Sequence, residues 1–492
     1  MSTFKNISLS RRNWIHGTFA ASLLWNVSTV LGKSEKTRVP TFRVRAVVKV
    51  NGEVRLKSQV ADQRNNTGKA MTAKSVPMQA TTDLEFEEQY ELGPSRSACK
   101  SYLRMAKAET EIQVDRHVTK TKLRDNCYDI VRLGTDQGML TACLDNPLFA
   151  AEKDLLQIPV SSMFIDGIIT KKEVKITDKW DIDSETACRI FGLDAILDGK
   201  LTACLVDANQ DVAQIELEGS LNGSVNQVAS SITIEAKAQL DRKLGFISWF
   251  AANIEETREI GEAEPGFKVL AQFQMKRAKI DDLSNGESLE SITSRIPTID
   301  SAELLQFQSD FGYFRFLASH RWNTYRDVGE EATYRFVVDN QRVAQCNITN
   351  MIDFEPGRQL SLEGFIGDVK TSLGSTLIEV LESSEKVTVN RLKAMKVVSR
   401  SMAQDVPVFW IHYHLSNDDG RRVTVVFMMN EEQVETFASE DSQIIATFEL
   451  INWPTKLDRK ALERSSTENA TSEVKATTSA VSQPSTRPKL SR

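Results

Sequence analysis

The chain alternates apolar and polar residues over long stretches, with the period of two that belongs to strands. The runs Glu111–Thr119, Gly167–Ile176, Gln214–Glu218, Ser231–Ala238, Phe246–Glu255 and Lys268–Met275 carry it. From Val44, Arg-Ala-Val-Val-Lys-Val-Asn-Gly-Glu-Val-Arg-Leu predicts two strands meeting in a tight turn at Asn51-Gly52. A short helix is predicted from Asp183 to Gly192, because it opens on capping residues and stops at a glycine. Residues 40–282 therefore read as one antiparallel, β-rich domain.

A polar linker at 283–302 leads into residues 303–451, where both periods occur. Gly312–Trp322 and Tyr334–Val338 read as strands. Leu362, Phe365, Ile366, Val369, Leu373, Leu377 and Leu381 fall at three- and four-residue steps, which predicts a helix from about Ser361 to Glu382. Strands follow at Lys386–Val389, Met395–Met402, Val408–Leu415 and Val423–Met429, with a tight turn at Asn417–Gly420. Glu431–Ser439 and Ile444–Leu450 close the unit. Residues 455–492 are rich in Ser, Thr, Ala, Lys and Glu; they cannot bury enough apolar surface to offset ordering entropy, and a disordered tail is expected.

At 492 residues, 41% hydrophobic and 26% charged, the composition fits a globular chain of two or three domains. The net charge of -6, with both signs interspersed, argues against a general nucleic-acid binder. No apolar run beyond the N-terminus approaches the length of a membrane span.

That N-terminus carries Ser10-Arg11-Arg12-Asn13-Trp14-Ile15 followed by a mildly apolar run to Leu31. It resembles a twin-arginine export signal over residues 1–32, with cleavage after Gly32, and implies a periplasmic or cell-envelope location. The alternative is an uncleaved anchor. About 20 apolar residues are needed to span a bilayer, and His16, Thr18, Ser22, Asn26 and Ser28 interrupt this run.

Residues 303–451 resemble the PsbP-like family, on Gly-Tyr-Phe-Arg-Phe…Trp at 312–322, Val-Phe-Trp-Ile-His-Tyr-His…Arg-Val-Thr-Val-Val-Phe at 408–427, and the closing helix and strand. The resemblance implies an α/β/α sandwich and a role in binding or assembly without catalysis. Ala318-Ser319-His320 stands where members usually place a proline. Residues 40–282 resemble LolA-like envelope carriers, which use a single curved antiparallel sheet, on export, many strands and few helices. The expected fold class is thus α+β in two domains: a large antiparallel β-rich domain, then a PsbP-like α/β/α sandwich.

Candidate chemistry is sparse. Two stretches match each other, Cys127 through Leu-Thr-Ala-Cys143-Leu and Cys188 through Leu-Thr-Ala-Cys204-Leu. They suggest disulfides Cys127–Cys143 and Cys188–Cys204; buried thiols and metal binding are the alternatives. Trp180, Trp249, Phe246 and Phe250 are candidates to line an apolar ligand site, or else plain core. His412 and His414 share a strand face and could hold a metal with Asp418 or Asp419; otherwise they lie on a solvated face, with Ile411, Tyr413 and Leu415 inward. Asp181-Ile-Asp183-Ser-Glu185 has calcium-loop residue types without the glycine, and helix capping explains it. No Gly-x-Ser-x-Gly, His-Glu-x-x-His, phosphate-loop or dinucleotide motif occurs, and no cofactor is indicated. The expected function is an exported, non-catalytic envelope protein that docks or assembles a protein partner. The alternatives are a carrier or sensor of lipid or lipoprotein, and a hydrolase built on His412 and His414.

Overall fold

Alternation at period two dominates the architecture. The computed structural model describes residues 39–58, 72–135, 138–309, 311–328, 331–403 and 406–451; the signal expected at 1–32 and the disordered tail expected at 455–492 lie outside the described residues. Twelve strands form the first sheet: β1 (Thr41–Ser58), β2 (Thr72–Glu91), β3 (Lys100–Val114), β4 (His117–Lys122), β5 (Asp129–Thr135), β6 (Gly138–Cys143), β7 (Lys179–Ile182), β8 (Ala195–Ala208), β9 (Val212–Val225), β10 (Val228–Asp241), β11 (Phe246–Arg258) and β12 (Gly266–Ile280). Their order is β6-β5-β3-β2-β1-β12-β11-β10-β9-β8-β7, with β4 added on β3. In β10, Ile232, Ile234, Ala236 and Ala238 are buried while Ser231, Thr233, Glu235 and Lys237 are exposed, and β9 and β12 repeat the pattern. One face is therefore apolar and the other polar.

Two local expectations change. β1 runs straight through Asn51-Gly52, with Gly52 opposite both Met78 and Val269. A Cβ there would stand 2.2 Å from the Lys268 carbonyl oxygen, so the glycine permits close strand approach and makes no turn. The run Gly167–Ile176 is not a strand; it starts in a single 3-10 turn, Ile165–Ile168, and continues as loop.

That segment helps to cover the apolar face. α1 (Ala150–Leu155), the 3-10 turn and α2 (Ser184–Phe191) bury Leu155, Met163, Ile165, Ile168, Ile190 and Phe191 in the same core as Phe42, Phe86, Ile234 and Phe250. Asp183 caps α2, accepting from the Thr186 amide at 2.9 Å, and Gly192 ends it at φ 68°, as its sequence implies. A buried polar cluster fixes the cover in place. Arg277 on β12 is wholly buried, donates to Asp166 Oδ1 at 2.7 Å and Oδ2 at 3.1 Å, and lies 4.2 Å over the Phe42 ring. Asp166 also accepts from the Ile247 amide and the Tyr90 hydroxyl. Nearby, Ser162 donates to the buried Glu88 at 2.7 Å, and buried Arg132 donates to the Leu156 carbonyl at 2.9 Å. Burial raises the Glu88 pKa above the usual carboxylate range.

The segment 283–302 packs too. α3 (Leu289–Ile292) and α4 (Ile299–Ala302), with Leu283, bury apolar side chains against Tyr102, Val131, Leu140 and Ala142, on the opposite face of β3, β5 and β6.

The remaining strands are β13 (Leu304–Ser309), β14 (Phe314–Ser319), β15 (Trp322–Val328), β16 (Glu331–Val338), β17 (Gln341–Asn350), β18 (Leu377–Val387), β19 (Lys393–Ala403), β20 (Val406–Ser416), β21 (Arg422–Asn430) and β22 (Glu449–Leu450). Seven form an antiparallel sheet, β15-β16-β17-β21-β20-β19-β18, and β13-β14-β22 form a small second one. The expected α/β/α sandwich is not found: the region is β-rich, and so is the whole chain. The predicted helix 361–382 ends early, because α5 (Leu362–Leu373) stops at Gly374 (φ 50°) and Leu377 and Leu381 continue in β18. α6 (Val434–Phe437) and α7 (Glu440–Thr447) are short. They share one sheet face with the aromatic small sheet, where Phe307, Phe314, Phe316 and Phe448 are buried. Buried Glu440 at the start of α7 accepts from Trp322 Nε1 at 2.8 Å and from Arg321 at 2.8 Å. The two halves join through the Gln306 amide on the Leu148 carbonyl (2.8 Å) and the Glu262 amide on Asn340 Oδ1 (2.9 Å).

Removing one member of a buried ion pair strands the other charge, which costs about 3–5 kcal/mol. Asp166→Ala is expected to destabilise the chain by that order in denaturant titration, and Arg277→Met in the same background to recover part of the loss. A cost for Asp166→Ala below about 1 kcal/mol, the range of an exposed pair, contradicts this role.

Candidate functional site

The polar face of the large sheet holds a groove of about 690 Å³ between β7 and β12. Strand register builds it from two cross-strand rows. One runs Cys204, Glu216, Lys237, Ala251, Gln274; the next runs Thr202, Glu218, Glu235, Asn253, Gln272. Trp249 adjoins the first row, and Lys179 closes the β7 end. Small side chains at Cys204, Thr202 and Ala251 leave the floor low, and longer polar ones stand around it. Lys179 pairs with Glu218 at 3.2 Å and Lys237 with Glu216 at 3.0 Å. Glu235 has no basic partner among the described residues, so the groove keeps an uncompensated carboxylate.

The four candidate aromatics do not meet. Phe246 and Phe250 are buried on the apolar face, against Phe42 and Phe273 respectively. Trp180 donates from Nε1 to the Ile168 carbonyl at 2.9 Å and packs on the core. Trp249 alone of the four faces the groove. Phe246 and Phe250 pack instead within the chain's own core.

His412 and His414 do share a face, with Ile411, Tyr413 and Leu415 on the other. The face is not solvated, because α5 lies over part of it: Phe365 is 5.7 Å from the His414 ring, and Trp410 stacks on His412 at 5.7 Å. Neither His414 nitrogen has a hydrogen-bond partner, nor does His412 Nδ1. Asp418 instead accepts from Gln359 and, through its carbonyl, from the Gly357 amide. No group of three or more metal-ligating side chains occurs among the described residues. Burial draws the pKa of both histidines, and of His320, down to about 4.

Of the cysteines, Cys127 and Cys143 are in contact. Cys188 and Cys204 are not: Cys188 on α2 points into the core, whereas Cys204 faces the groove. The matched Leu-Thr-Ala-Cys-Leu runs present opposite alternations. Leu201 and Ala203 face the main core, but Leu140 and Ala142 face the α3–α4 strap. Residues that sequence reasoning missed are Glu235, Lys237, Asn253, Gln272 and Gln274. Their only signal is polar alternation, which any solvated sheet face shares.

No protein-family model matches the chain, and no curated protein matches it. Among solved structures, cyanobacterial PsbP from Synechocystis sp. PCC 6803 aligns at 12% identity and a TM-score of 0.25, covering 30% of this chain and 92% of that one. Lipovitellin aligns at 7% identity and a TM-score of 0.26, over 52% of this chain and 27% of its own. The immunity protein TplEi of Pseudomonas aeruginosa aligns at 9% and 0.18, over 44% and 74%. The PsbP-like resemblance is weak, and none of these scores carries an inference about function. Among the described residues, no helix is long and apolar enough to cross a membrane.

The three histidines set a pH dependence. Their folded pKa lies below the unfolded value of 6.5, so the unfolded chain binds protons first as pH falls. Their contribution is full above pH 6.5 and is lost progressively down to about pH 4. Each proton is worth about 1.4 kcal/mol per pH unit. His414→Leu removes unpartnered nitrogens and should lower the slope of stability against pH, between 6 and 4.5, by roughly one proton. Denaturant titrations across that range read the slope, and an unchanged one refutes the assignment.

Proposed function

We propose that this chain is a non-catalytic docking protein of the cell envelope, whose polar sheet groove receives an extended protein segment of mixed charge. The observation that carries the reading is the division of the large sheet. Its apolar face is buried against the chain's own side chains, and its open groove mixes charged and amide side chains with apolar ones. A lipid carrier needs an apolar cavity of several hundred Å³, and nothing in the packing of the apolar face favours that alternative. Paired Lys and Glu, amides and one Trp suit a polar polypeptide, with a basic residue of the partner set against Glu235. The envelope location rests on the resemblance of residues 1–32 to an export signal.

A photo-cross-linking residue placed at Asn253 or Gln272 of the full chain, in its source cells, should yield the same partner adduct. The yield should fall severalfold when Glu235→Lys is added, and no such adduct should form from Ser384 on β18. Adducts equally strong from Ser384, or insensitive to Glu235→Lys, refute the groove as the docking surface.

A further inference from the structure

The cysteine pair in contact has features that packing alone does not require. Cys127 precedes β5 and Cys143 ends β6, whose ladder sets Ile130 opposite Cys143. The Leu144 amide donates to the Asp129 carbonyl at 2.9 Å, and the Cys127 amide donates to the Arg124 carbonyl at 3.0 Å, which turns the chain back toward β6. Both sulfurs reach Asn126: Cys143 Sγ lies 3.8 Å from its carbonyl oxygen and Cys127 Sγ lies 3.8 Å from its Oδ1. Contacts to this one residue hold the two side chains side by side.

Access to them is unequal. Cys143 lines a crevice of about 160 Å³ with Asp145, Asn146, Pro147, Pro297 and Ser301. Cys127 is fully buried behind it. Cys143 is itself buried but for a small fraction at this crevice, and Cys127 is closed off altogether. The backbone amides of Asp145 and Asn146 favour an ionised Cys143.

We propose that Cys143 and Cys127 are a redox-convertible pair, with Cys143 the sulfur that reacts with a small disulfide through the crevice and Cys127 the sulfur that resolves the adduct. In the first step the Cys143 thiolate attacks one sulfur of R–S–S–R. A Cys143–S–S–R bond forms, the R–S–S–R bond breaks, and RS⁻ leaves and takes up a proton. In the second step Cys127 gives up its proton and attacks the Cys143 sulfur. The intramolecular disulfide forms and the second R–S⁻ leaves as a thiol. The pair loses two electrons and two protons, and the oxidant gains both.

The electrostatics support this order. The neighbouring Cys127 side chain and the two amides draw the Cys143 pKa below the usual thiol value, while proximity to Cys143 and burial push Cys127 up. A thiolate therefore forms first on the sulfur that faces the crevice. The remaining cysteines lack this arrangement. Cys99 donates to the Ser95 carbonyl at 3.3 Å, Cys346 is fully buried, and Cys188 and Cys204 lie on opposite faces of the sheet.

The test treats the full chain with oxidised glutathione at pH 7, followed by alkylation under unfolding conditions and peptide mapping. A Cys127–Cys143 disulfide is expected, with Cys99, Cys188, Cys204 and Cys346 alkylated. Its rate of formation should rise with pH, as the thiolate fraction of Cys143 grows. Cys127→Ser should halt at a glutathione adduct on Cys143. If that variant does not fold, the wild-type map and its pH profile decide. Six alkylated cysteines after treatment, or reaction first at the more exposed Cys204, overturn the proposal.

Discussion

A sheet of twelve strands with one apolar face must have that face covered, and most of the structure follows from this. Each long strand commits alternate residues to the core side, and together they make an apolar surface far larger than a monomer leaves in water. The chain covers it with its own segments: α1, the 165–168 turn, α2 and parts of the second half. The hydrophobic effect favours covering but does not say in which position, because it has no direction. Hydrogen bonds and ion pairs supply the position. Arg277 donates to Asp166 across 111 residues of sequence, and Ser162 reaches Glu88 across 74. A shifted cover would leave these buried charges unpaired.

The same alternation determines what remains available to a partner. Residues that do not face the core face solvent, and in β9 to β12 they form rows of Glu, Lys, Gln and Asn that line a groove. The second half obeys the same rule. Its seven-stranded sheet has α6, α7 and the aromatic small sheet on one face and α5 over part of the other. Glu440 and Asp441 hold α7 in register through Trp322, Arg321 and Tyr413. With apolar faces committed internally, recognition falls to polar side chains, whose pairing is specific in geometry and weak in total energy.

Much of the strand content was legible, because period two is a strong signal wherever a strand has one wet face; β10 and β12 show it cleanly. The helix at 184–191 was legible from its caps. Three features failed for physical reasons. Asn51-Gly52 has turn residues, but β1 is paired on both sides there, and the glycine relieves crowding. The apolar stripe from Leu362 to Leu381 keeps helical spacing past Gly374, where the backbone turns and the last two leucines enter β18. The alternating run Gly167–Ile176 belongs to no sheet: it leaves a 3-10 turn whose Ile168 packs on the core and continues as loop. The groove was not legible either, since its rows exist only once the strands are in register. The cysteine repeat was half informative: equal spacing brought Cys127 to Cys143, but the second copy entered β8 on the opposite alternation.

Native mass spectrometry of the full chain from its own cells, recorded before and after unfolding, tests the closure of the apolar face most directly. A closed face predicts a protein mass that carries no lipid in either spectrum. A bound lipid mass that leaves on unfolding would contradict it.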